Sequence, residues 1–171
     1  MAQDDAIARL ARQIDAARRT EHESISAADV ADLCRRAAAE LHAICADFAT
    51  RLNSRLSQAA LDLSPAGYAP EDFHDSGPNL FQISSQGRQM QITFQTVPQR
   101  VSTEKFLIPY VLEGEIRTFN QRMLERFEVR TLSIFFCLAD SGPSWRFYDW
   151  RTLRTGPVDR ELLASQMERL F

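Results

Sequence analysis

The sequence predicts an α+β fold: an N-terminal helical hairpin with one long helix, a five-stranded and mainly antiparallel sheet, a helix between strands 3 and 4, and a C-terminal helix. Three observations lead there. Apolar residues recur at helical spacing through the first third, strict alternation follows a Pro/Gly-rich stretch, and helical spacing returns at the end. An antiparallel sheet with helices on one face buries the apolar side of every such element.

Taken in order, residues 4–19 place Ile7, Leu10, Ile14 and Ala17 on one stripe, with acids early and Arg18 and Arg19 late, as a helix dipole favours. "TEHES" interrupts this helix, and Ser26 followed by Asp29 reads as a new N-cap. From Val30 to Leu63 the apolar residues sum to eleven-residue blocks, which keep a stripe nearly straight. No Gly or Pro interrupts residues 27–62. A helix of that length runs about 54 Å, whereas a compact body of this size is roughly 40 Å across. Either the helix breaks near Asn53 and Ser54, or its surplus stripe packs on the first helix, a second copy or another protein.

Residues 63–79 hold three prolines and two glycines and read as a linker. The expected organisation is therefore a helical segment 1–62, a linker 63–79 and a sheet region 80–171, acting as one cooperative unit. In "LFQISSQGRQMQITFQTV" a Gly87-Arg88 turn of type II′ opposes Phe81 with Phe94, Ile83 with Ile92 and Ser85 with Met90. The glutamines and Thr93 fall on the other face. "EKFLIPYVL" is a third strand, which Pro109 marks as an edge or an irregular ladder. Residues 113–127 match either a hairpin turn at Glu113-Gly114 or a helix. Ile116, Phe119, Met123 and Phe127 fit helical spacing over the longer span, so a helix is predicted.

"EVRTLSIFFCLA" is a strand expected to be buried on both faces in its apolar second half. "WRFYDW" is the fifth strand. Gly156-Pro157 then precedes a helix amphipathic through Leu162, Leu163, Met167 and Leu170, with Pro157 at its first position.

Composition narrows the function classes. Hydrophobic residues at 44% and charged residues at 25% mark a folded globular chain, and no apolar run is long enough to span a membrane. The acidic N-terminus lacks the basic region of a signal peptide, and three cysteines without close pairing point to a reducing cytoplasm. The net charge is −3, and acids and bases balance in each segment: 10 and 8 in residues 1–64, 4 and 3 in 65–112, 9 and 9 in 113–171. No basic tail exists to attract nucleic acid. Lys105 is the one lysine among 20 basic residues, a bias that fits a GC-rich bacterial genome.

No catalytic motif is present. His22, His42 and His74 have no serine elbow or cysteine signature beside them, and six glycines form neither a P-loop nor a dinucleotide fingerprint. His42, Cys45 and Cys34 share a helix face but lack zinc-motif spacing, so core packing is the better reading. "EDFHD" at 71–75 reads as solvated linker before it reads as a cation site. An enzyme built on His74 and its carboxylates is a third, weaker option. No catalytic residue, metal or cofactor is assigned.

"SWRFYDWRTLRTG" alone combines cations with rings. On a strand, Trp145, Phe147 and Asp149 point one way while Arg146, Tyr148 and Trp150 point the other, with Arg151 and Arg154 continuing the second face. Rings beside cations suit nucleotides or single strands; arginine stems covering rings give the same pattern in ordinary structure. The leading expectation is a non-enzymatic interaction or adaptor module that self-associates, as a homodimer, or binds a partner protein through the long apolar helix and a sheet face. The alternative is a small regulatory domain that binds nucleotide or single-stranded nucleic acid through Arg146, Tyr148, Trp150, Arg151 and Arg154.

Overall fold

The structure is a computed structural model; it describes residues 2–23, 27–103 and 106–171, with side chains for 6–16, 28–97 and 108–171. The expectation that Ser26 caps a helix lies outside the described residues. The chain divides into two compact units, Met1–Leu33 and Cys34–Phe171. The first holds α1 (Ala2–Glu23), longer at both ends than the stripe predicts, and the start of α2 (Ala27–Asn53). On α1 the apolar residues Ile7, Leu10 and Ile14 are exposed.

The class is α+β, and the described residues form seven strands instead of the predicted five. They are β1 (Asp62–Ser64), β2 (Asn79–Ser85), β3 (Arg88–Thr103), β4 (Phe106–Asn120), β5 (Arg130–Ala139), β6 (Gly142–Asp149) and β7 (Arg154–Pro157). Each pairs antiparallel with its chain neighbour, in the order β1 to β7. A short helix α3 (Gln121–Glu125) joins β4 to β5, and α4 (Arg160–Glu168) closes the described chain.

The long helix ends at Asn53 and does not reach residue 62. Its terminus is set by a side chain: Asn53 Nδ2 donates to the Leu61 carbonyl at 2.9 Å while its Oδ1 accepts from the Leu61 N–H at 2.7 Å. The amide thus stands in for a peptide group and turns the chain toward β1. Twenty-seven residues make a helix of about 40 Å, so the surplus length that pointed to a partner is gone.

The core of the second unit lies between one sheet face and α2 with α4. Ala37, Ala38, Leu41, Cys45 and Phe48 of α2 are buried, as are Leu163 and Met167 of α4. From the sheet come Phe81, Ile83, Ile92, Phe94, Ile116, Ile134, Phe136 and Trp145. Their rings meet edge to face: Phe94 and Trp145 centroids are 5.6 Å apart, Phe136 and Trp145 5.5 Å. The opposite face carries Gln82, Gln91 and Glu115; Gln91 Nε2 donates to Gln82 Oε1 at 3.0 Å.

Three expectations are corrected and one is met. The β2–β3 turn is Gln86-Gly87, with φ of 50° and 76°, so Phe81 faces Ile92 and Ile83 faces Met90. Two positive φ values define type I′, whose twist matches the strands; the shift by two residues leaves the same side chains inside. Residues 113–120 are strand: Leu112, Gly114, Ile116 and Thr118 alternate inward, and the helix is confined to 121–125. At Pro109 the second of the two alternatives is met: it sits in an interior strand, in an irregular ladder with a register shift where neither neighbour pairs with it. Asp159, not a proline at the first helical position, starts α4: its carboxylate accepts from Leu162 N at 2.8 Å, and Pro157 ends β7.

Gly114 is required by close approach. A Cβ there would collide with the Thr93 carbonyl oxygen and stand 2.7 Å from Phe94 Cβ.

Candidate functional site

A meander puts alternate turns at the same end of the sheet. The β2–β3 turn, the α3 connection with residues 126–129, and the β6–β7 turn at 150–153 therefore gather at one end, where residues 169–171 also arrive. Between them lies a cleft of about 890 Å³. Arg88, Arg122, Arg126, Arg130, Arg151 and Arg169 line it, against one carboxylate side chain, Glu128. In a chain of net charge −3, this is a local concentration of positive charge, which attracts anions over a Debye length.

Each arginine is held by its element. Asn120 Oδ1 accepts from Met123 N at 2.9 Å and caps α3, setting Arg122 in its first turn. Arg126 is the C-cap, its N–H donating to the Arg122 carbonyl at 3.2 Å. Next, Phe127 N donates to Leu124 O at 3.2 Å and Glu128 N to Met123 O at 2.9 Å. These are the two bonds of a Schellman motif. Its left-handed position, where glycine is favoured, is occupied by Phe127 at φ 56° with 96% of its surface exposed.

Arg130 opens β5. On the β6–β7 turn, Asp149 accepts from Arg151 N at 3.0 Å and from Thr152 Oγ1 at 2.9 Å. Burial pushes the Asp149 carboxyl up, but these hydrogen bonds hold it below its ordinary value. The Arg151 guanidinium lies 5.3 Å from the centre of the Trp150 ring, which is 57% exposed. Leu153, in the same turn, has φ 57° and is also exposed.

The six arginines are not equivalent. Arg88 Nε donates to the Leu170 carbonyl at 2.9 Å, with its guanidinium 4.3 Å above the Phe171 ring, and Arg169 donates to Gln166 Oε1 at 3.2 Å. Among the described residues, the side chains of Arg122, Arg126, Arg130 and Arg151 make no hydrogen bond or ion pair. Elsewhere Arg35 reaches Asp75 at 3.0 Å, Arg51 reaches Asp47 at 2.7 Å, and Arg160 reaches Glu161 at 2.9 Å.

The five residues singled out in the sequence do not share one face. Arg146 and Tyr148 lie on β6, opposite Phe135 and Ser133 of β5. The Arg146 Nε is buried without a hydrogen-bond partner. Trp150 and Arg151 leave the strand for the turn, and Arg154 opens β7 opposite Asp149. Of the five, Arg151 lines the cleft. Arg88, Arg122, Arg126, Phe127, Arg130 and Arg169 were not anticipated. The four-residue spacing of Arg122, Arg126 and Arg130 is a visible signal, but Arg122 and Arg126 fall on the polar side of the predicted helix and Arg130 in the strand predicted after it.

The other sequence candidates have structural partners. His42 Nε2 is 2.8 Å from the Pro65 carbonyl, and its ring stacks on Tyr68 at 5.6 Å. Within 71–75, Phe73 is buried, Asp72 accepts from Ala69 N at 2.8 Å and Asp75 pairs with Arg35. His74 is exposed, its N–H bonded to Asn79 Oδ1 at 2.9 Å. Burial pushes the Cys34 and Cys137 thiols up to about 11 and Cys45 up to about 12. For Cys34 the Asp75 charge adds to this; for Cys137 Arg146 opposes it. Among the described residues no group of three or more His, Cys, Asp or Glu is placed to hold a metal ion, and no helix is long and apolar enough to cross a membrane.

Comparison with protein-family models, with curated proteins and with solved structures found no match to this chain.

Proposed function

We propose that this chain is a non-enzymatic binding module that takes a polyanionic, phosphate-bearing ligand in the arginine-lined cleft. The observation that supports it is the set of four guanidiniums, Arg122, Arg126, Arg130 and Arg151, gathered from the α3 connection, the start of β5 and the β6–β7 turn, with one carboxylate side chain among them. Like charges held together destabilise a fold through self-repulsion, and Asp149 beside Arg151 offsets only part of it. A bound anion offsets that cost, and guanidinium forks match phosphate oxygens two at a time. The free thiols Cys34, Cys45 and Cys137 fit a reducing cytoplasm as the compartment.

Titration calorimetry with inorganic tripolyphosphate tests this. Saturable binding that weakens with salt, and that is lost in Arg122→Glu/Arg126→Glu, is expected. No heat above dilution at low salt would remove the reading.

A second reading, self-association as a homodimer, is favoured by the exposed stripe Ile7, Leu10 and Ile14 on α1. Sedimentation at micromolar concentration checks it, and a strict monomer dismisses it.

A further inference from the structure

We infer that the cleft is built for single-stranded nucleic acid, its arginines taking successive phosphates while Phe127 and Trp150 stack on bases. This rests on the anion-binding reading above and narrows the ligand. The first argument is extent. The four arginines come from the α3 turn, the start of β5 and the β6–β7 turn, around about 890 Å³. Four cations so distributed exceed what one phosphate can engage, whereas a polymer presents phosphates in series.

The second argument is Phe127. A ring 96% in water gives nothing back to folding. Its φ of 56° adds backbone strain that glycine would avoid. Two separate penalties thus meet at one side chain on the rim of the cationic cleft. A flat apolar ring in that place offers a stacking platform, and every base has a face for it.

The third is the turn 150–153. Trp150 is more than half exposed, with the Arg151 guanidinium 5.3 Å from its ring. One cation and one ring are thus already placed together, as a nucleotide's phosphate and base need them. Duplexes keep their base faces covered, so Phe127 and Trp150 have nothing to stack on there. An acidic polypeptide satisfies the arginines but supplies no regular series of rings.

The test is fluorescence anisotropy with labelled oligothymidylate of about 12 nucleotides, a length within the range one small domain covers. Competitors are the matching duplex, polyglutamate and inorganic tripolyphosphate. The single strand is expected to bind most tightly. Its log affinity should fall against log salt with a slope of about −3, from four phosphates at roughly −0.7 each. Phe127→Ala and Trp150→Ala should each weaken the single strand by roughly 5- to 150-fold and leave tripolyphosphate binding unchanged. Both side chains are exposed, so neither variant threatens folding.

Duplex or polyglutamate binding as tightly as the single strand, or ring variants that bind it like the wild type, would overturn the inference. In that case retained tripolyphosphate binding would leave the wider reading standing. Loss of binding to every anion would end both.

Discussion

The indole Nε1 of Trp145 donates a hydrogen bond to the carbonyl oxygen of Ala37 at 2.8 Å, tying β6 to the middle of α2 across the core. Trp145 is among the largest fully buried side chains, and Ala37 and Ala38 are small enough to let the indole reach a helix backbone. Trp145→Phe removes the donor and leaves a void, at a cost of about 2–4 kcal/mol. The urea midpoint should fall accordingly. Trp150→Phe, at an exposed ring, should leave it in place.

Asn53 both donates to and accepts from Leu61. Asn53→Ala breaks both bonds at the point where α2 turns into β1, for a loss of about 1–3 kcal/mol. Asn53→Asp keeps the acceptor but sets a carboxylate oxygen against the Leu61 carbonyl, so it too should fall well below the wild type. Denaturant titration of the three proteins gives the ranking.

Phe127→Gly relaxes the left-handed position of the Schellman motif. The melting temperature is expected to rise, by an amount corresponding to about 1 kcal/mol. The same variant lacks the exposed ring and should bind single strands less well, so stability and affinity move in opposite directions. Calorimetric melting beside an anisotropy titration reads both. Weakened binding in a more stable protein excludes unfolding as its cause.

Cys34, Cys45 and Cys137 are free and buried, and burial raises each thiol above its ordinary value near 9. Raised pKa values mean that the folded chain holds these protons more tightly than the unfolded one. Their contribution to stability is complete below about pH 9 and is lost as pH rises through about 11 to 12. Unfolding free energy should therefore decline across that alkaline window. A Cys45→Ala variant, though less stable at neutral pH, should decline less steeply. Below pH 9, thiol reagents should find these cysteines slow until the chain is unfolded.

The sequence was legible where its period was undisturbed. Phe81, Ile83, Met90, Ile92 and Phe94 recur at every second position on the inward side, so the polar and apolar faces of β2 and β3 followed even though the turn was misplaced by one residue. β4 was half hidden because its inward positions include Gly114 and Thr118, which break an apolar pattern while fitting the space. Ile116, Phe119, Met123 and Phe127 then imitated a helix. The strands β1 and β7, with 3 and 4 residues, are too short to show a period. At the cleft, Arg151 stood out because it adjoins Trp150 in the sequence. Arg88 and Arg169 lie far apart in the chain, and only the return of the C-terminal helix to the β2–β3 end brings them near.

A sheet in which every strand lies beside its chain neighbour also constrains how the protein acquires its structure. Each new pairing closes only a short loop, so little chain entropy is lost at a step. Growth can proceed by zippering from one hairpin outward, and the low contact order favours rapid folding for a β-rich chain. The β2–β3 hairpin, with its tight turn, is a natural nucleus. The contact that arrives last in this order is the distant one, Trp145 against Ala37.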